Sequence, residues 1–114
     1  MRMARLLVIA TVGLLPACGG SGAPRACEIQ SESGRVQLED FAFRPSCLQA
    51  PPDGVIRLEN TGDAPHTFTV EGTDVNVNVD AGSSGEADLG TVDPGTYAVT
   101  CTFHPQMEAT VTVG

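Results

Sequence analysis

No window of this chain carries sustained helical periodicity, and that absence most constrains what it can fold into. Apolar residues recur instead at every second position, in short runs. Val75, Val77 and Val79 alternate with Asn76, Asn78 and Asp80 without a break. That is the pattern of a strand with one buried and one wet face. Val36 and Leu38 alternate with polar neighbours, and Phe41 and Phe43 restart the alternation out of phase, which predicts a bulge near Glu39-Asp40. Val55, Ile56 and Leu58 form a further run, closed by the turn residues Asn60-Thr61-Gly62-Asp63. Phe68 and Val70 oppose Thr67 and Thr69, and Val111 and Val113 oppose Thr110 and Thr112. Residues 81–85 and Asp93-Pro94-Gly95 read as turns. Seven or eight short strands with frequent turn signals predict an all-β sandwich, with no internal repeat and no second domain.

The ends of the chain predict export. Residues 1–17 combine Arg2 and Arg5 with an apolar run from Leu6 to Leu15 that is too short to span a bilayer, as in a signal peptide. The run ends in Leu15-Pro16-Ala17-Cys18, which resembles the lipobox of bacterial lipoproteins. On that reading Cys18 becomes the lipidated first residue, two or three acyl chains anchor the chain stably, and residues 18–34 form a flexible tether rich in Gly, Ser and Ala. Cleavage after Ala17 to release a soluble secreted protein is the alternative. Residues 35–114 would make the single folded domain, expected as a monomer on the outer side of a bacterial membrane, facing the periplasm or cell exterior.

Charge narrows the partners. The chain carries no lysine, and its formal charge is −8. Losing Arg2 and Arg5 makes it more acidic still. Nucleic acid and anionic lipid surfaces are therefore poor partners, the membrane is met only through the lipid, and the acidic surface suits either a basic protein partner or solubility alone. Of four cysteines, Cys18 is assigned to lipid. In an oxidising compartment Cys27 and Cys47 are expected to pair, stabilising a chain this short by roughly 3 kcal/mol. Free thiols at both positions, or a pairing that consumes Cys101, are the alternatives.

Cys101 is kept apart because of its neighbours. The stretch Cys101-Thr102-Phe103-His104-Pro105-Gln106-Met107 places a thiol, an imidazole and a thioether within seven residues. His66, the chain's other histidine, opens the Phe68–Val70 run after a turn. A thiolate, two imidazoles and a weak axial thioether are the ligands of a blue-copper electron-transfer site. Taken singly, each residue is an ordinary core or surface residue. Together, His66, Cys101, His104 and Met107 predict one copper per chain, cycling between Cu(I) and Cu(II). Structural zinc sites are usually built from Cys and His without Met. No histidine remains for a second, catalytic copper, so the chain is not expected to be an enzyme. Pro65 and Pro105 restrict the backbone beside each histidine.

The matching features run from Phe41-Ala42-Phe43 and Pro45, through Gly54-Val55, Asn60 and Pro65-His66, to Pro94-Gly95-Thr96-Tyr97 and the Cys101-to-Met107 loop. In these the chain resembles the cupredoxins of the plastocyanin, pseudoazurin and amicyanin group, with the short ligand loop most similar to amicyanin. The resemblance implies a Greek-key β-sandwich in which His66, Cys101 and His104 are equatorial ligands and Met107 is the long axial one. It also implies that His104 is the partly exposed electron port, with Pro65, Phe103, Pro105 and Gln106 forming an apolar collar where redox proteins dock. Many relatives carry Asn after the first histidine, tying the ligand loops together; here Thr67 stands in that place. The expected function is a membrane-tethered carrier of single electrons between extracytoplasmic redox partners. Copper storage, delivery or protection without a redox partner is the alternative.

Overall fold

The computed structural model describes Gly13 and residues 34–114. The signal segment, the proposed lipid site Cys18, the tether and Cys27 lie outside the described residues. Among those described there is no helix. Nine strands are present: β1 (Arg35–Glu39), β2 (Ala42–Arg44), β3 (Cys47–Gln49), β4 (Val55–Asn60), β5 (His66–Val70), β6 (Asn76–Val79), β7 (Ser84–Asp88), β8 (Gly95–Thr100) and β9 (Glu108–Val113). They form a four-stranded sheet, β2-β1-β4-β7, and a five-stranded sheet, β3-β9-β8-β5-β6. Both sheets are mixed, because β1 runs parallel to β4 and β3 parallel to β9.

Each sheet turns its apolar face inward. Val36, Leu38, Phe43, Ile56, Leu58 and Ala87 come from the first sheet, and Leu48, Phe68, Val70, Val79, Val99 and Val111 from the second. Phe43 and Phe68 meet edge to face at 6.0 Å, a favoured aromatic geometry that links β2 to β5 across the core. No buried side-chain nitrogen or oxygen among the described residues lacks a hydrogen-bond partner.

Nine strands exceed the seven or eight expected because β2 and β3 are three residues each, too short to show alternation. Two local expectations are corrected. The phase slip after Leu38 is a two-residue hairpin turn rather than a bulge: Glu39 pairs with Ala42 and Leu38 with Phe43. Pairing across such a turn puts an even-numbered and an odd-numbered residue on one face, which is the observed slip. Phe41 sits in the turn, half exposed, instead of sharing a face with Phe43. The stretch read as a turn over residues 81–85 gives up Ser84 and Gly85 to β7, where they pair with Glu59 and Leu58.

Two devices shape the end of the sandwich where the histidines lie. Asn60, 3% exposed, closes β4 and braces the turn that follows. Its amide donates to the carbonyls of Ala64 and Val79, each at 2.9 Å, and accepts the N–H of Gly62. The parallel register of β1 on β4 sets Leu38 beside Asn60. The β1–β2 turn is thereby carried alongside the β4–β5 turn.

Candidate metal centre

Cys101 follows the last residue of β8 and continues the inward row of Val99; it is 1% exposed. It is a free thiol. The chain then makes two successive turns. The N–H of His104 donates to the Cys101 carbonyl at 3.3 Å, and that of Met107 to the His104 carbonyl at 3.0 Å. A three-residue repeat brings side chains at i and i+3 to the same side. The Cys-x2-His-x2-Met spacing is thus matched to the loop that holds it. His66 is the first residue of β5 and is completely buried, whereas His104 is half buried.

The three donor atoms converge. His66 Nδ1 and His104 Nδ1 are 3.2 Å apart. Cys101 Sγ lies 4.0 Å from the first and 3.6 Å from the second. A circle through three points so spaced has a radius of about 2.1 Å, the length of a metal–nitrogen bond. Among the described residues these are the only His, Cys, Asp or Glu side chains grouped in a way that could hold a metal ion. Met107, fully buried, closes the loop that begins at Cys101 and runs through His104.

The surroundings prepare the donors. His66 Nε2 lies 2.8 Å from Asp40 Oδ1. A carboxylate there is served by a ring N–H, so Nδ1 keeps its lone pair for the centre. Asp40 also accepts the N–H groups of Asp63 at 2.8 Å and Ala64 at 3.3 Å. The Asp63 N–H is the main reason its carboxyl is held below the ordinary aspartate range; burial opposes this, and His66 and Ala64 add to the lowering. Cys101 Sγ accepts the backbone N–H of Thr67 at 3.4 Å. Thr67 Oγ1 in turn accepts the N–H of Thr102 at 2.8 Å. The tie between the two ligand loops is therefore made by Thr67, short side chain notwithstanding.

The apolar collar expected from the sequence is at the surface: Pro65, Phe103, Pro105 and Gln106 are all exposed, Phe103 by 51%. Phe41 belongs with them. It is 49% exposed, and its ring centroid lies 4.7 Å from that of His104 and 6.1 Å from that of His66. Asp40 and Phe41 were missed because both sit in a turn whose place beside the histidines depends on β1–β4 pairing. Cys47 is disulfide-bonded, and Cys27, its expected partner, lies outside the described residues.

No curated protein matches the chain. Solved structures do. A mutant amicyanin in its Cu(I) form is 20% identical, with 78% of this chain and 89% of that one covered at a TM-score of 0.58. A mutant plastocyanin of fern is 19% identical over 70% of this chain and 99% of that one, with a TM-score of 0.59. The purple cupredoxin of Nitrosopumilus maritimus is 18% identical over 70% and 98%, with a TM-score of 0.55. At these identities the likeness carries the fold. The family rests on a model described as a cupredoxin-like domain, which matches residues 7–113. Two imidazole nitrogens, a thiol and a neighbouring thioether are a donor set suited to one copper per chain. The chain belongs to the cupredoxin-like family.

Proposed function

We propose that the chain carries single electrons between redox proteins outside the cytoplasm, tethered to a membrane through lipid on Cys18. The observation that carries the electron-transfer reading is the convergence of His66 Nδ1, His104 Nδ1 and Cys101 Sγ within 3.2 to 4.0 Å, around a buried free thiol. Bound copper would supply a one-electron couple, Cu(II)/Cu(I). His66, Cys101 and His104 would hold it, with the Met107 thioether as a further, weaker donor.

The chain's own groups set the conditions for that couple. His66 keeps its proton at Nε2, against Asp40, and offers Nδ1. The Thr67 N–H draws electron density from the Cys101 sulfur, which favours the reduced state. The ligands sit on strand ends and on turns braced by Asn60 and Thr67, so little has to rearrange when the charge changes. His104, at the exposed edge, serves as the port. Phe41, Pro65, Phe103, Pro105 and Gln106 surround it with a mostly apolar face, suited to small and short-lived docking. The acidic chain would favour a basic partner, and it would act as a monomer.

The test is a visible absorption titration of the purified full-length chain with Cu(II). An intense thiolate-to-copper band is expected, saturating at one copper per chain, bleached by reductant and absent from Cys101→Ala. A Cys101→Ala protein that stayed blue would overturn the ligand assignment. A blue protein that exchanges electrons with no partner would instead favour a copper storage or delivery role.

A further inference from the structure

We infer that Asp40 is a positioning residue for the metal centre, a fixed anionic clamp that holds His66 in the metal-binding tautomer and biases the centre toward the more highly charged ion. The inference rests on copper as the bound metal.

Asp40 belongs to the first sheet's β1–β2 turn, and His66 to a strand of the second sheet. The carboxylate joins them. Oδ1 takes His66 Nε2 at 2.8 Å and the Ala64 N–H at 3.3 Å, and Oδ2 takes the Asp63 N–H at 2.8 Å. Gly62 lies against the same carboxylate, where a β-carbon would collide with Oδ1. The anion is therefore seated by two backbone donors and a side chain that can bond only as Nε2–H. A ring proton committed to Asp40 cannot sit on Nδ1. That leaves the His66 Nδ1 lone pair turned toward the centre, 3.2 Å from His104 Nδ1.

Only a charged acceptor fits all three donors at once. An amide in its place has one acceptor oxygen. It either faces the Asp63 N–H with its own NH2, or turns that NH2 toward His66 and demands a bare Nε2. The second choice moves the ring proton to Nδ1 and blocks the ligand position. One-electron reduction of the centre adds negative charge while every Asp40 bond stays in place, so the carboxylate disfavours the reduced ion by charge alone.

The test uses the full-length chain with Asp40→Asn and Asp40→Ala, each checked for folding by circular dichroism. In metal-free protein at pH 8, the nitrogen-15 shifts of the His66 ring report its tautomer. A pure Nε2–H form is expected for the parent, and a mixed or reversed one for both variants. Competition with chromophoric chelators then measures Cu(II) and Cu(I) affinities separately. Cu(II) affinity should fall about 10- to 100-fold, and more than Cu(I) affinity. The potential should rise by about 59 mV for each tenfold loss in their ratio. Unchanged tautomer and unchanged affinity ratio in a folded Asp40→Ala protein would overturn the proposal, as would equal losses for both ions, which would reduce Asp40 to a structural brace. If the parent chain bound no copper, the function proposed above would fail, while the ring-nitrogen shifts would still decide whether Asp40 sets the tautomer.

Discussion

Thr67 joins the two ligand loops from both its backbone and its side chain. Its N–H reaches Cys101 Sγ, and its hydroxyl takes the Thr102 N–H and lies 3.1 Å from Thr69 Oγ1. Thr67→Val keeps the shape and the bond to sulfur but strands the Thr102 N–H. Thr102 is exposed, so water takes up part of the loss, and the expected cost is about 1 kcal/mol. Measured by thermal denaturation, this lowers the midpoint by several degrees, and Thr67→Ser should restore it. Met107 offers a second residue-level prediction. A harder amide oxygen in the axial place prefers Cu(II) over Cu(I). Met107→Gln should therefore keep one copper per chain and lower the potential, as read by redox titration.

Among the elements, the connections show what a sequence can and cannot reveal. Strands β1, β4, β6 and β9 were legible because each alternates inside and outside for long enough to be seen; β5 and β8 were legible from their sequences, although β5 buries Thr67 along with its apolar residues. The Cys101–Met107 loop was legible because its donors are spaced like the turns that carry them. β2 and β3 were not, being held by pairing with β1 and β9 rather than by any pattern of their own. β7, with the sequence Ser-Gly-Glu-Ala-Asp, buries only Ala87. The role of Asp40 was hidden for a related reason. Its distance from His66 follows from the β1–β4 register, which no local rule supplies. Gly54, just before β4, marks another close approach. It has a φ of 76°, and a β-carbon would fall 2.7 Å from the Gly90 nitrogen and 2.8 Å from its Cα. Gly54→Ala should destabilise the chain by more than about 1 kcal/mol, seen as a lower denaturant midpoint with an unchanged copper spectrum. The metal centre lies at the other end of the strands.

At the scale of the whole molecule, metal and fold are linked. An ion that binds only the folded state stabilises it by about 4 kcal/mol at a thousandfold excess over its dissociation constant. Copper should raise the thermal midpoint, and a chelator should return it to the metal-free value. The formal charge of −8 would add a salt-dependent attraction to a basic partner of the kind proposed above. Electron exchange should slow as ionic strength rises, while Phe103→Ala should slow it without moving the potential. The cysteines carry a consequence in time. Cys47 is in a disulfide and Cys101 is free, and every other cysteine of the chain precedes Cys47. On the exported reading proposed above, a polypeptide delivered amino end first would complete its disulfide before Cys101 emerges, and the metal-site thiol would arrive when no unpaired cysteine of that disulfide remains to trap it. A circular permutant that begins at β8 would reverse that order and should accumulate scrambled, colourless protein.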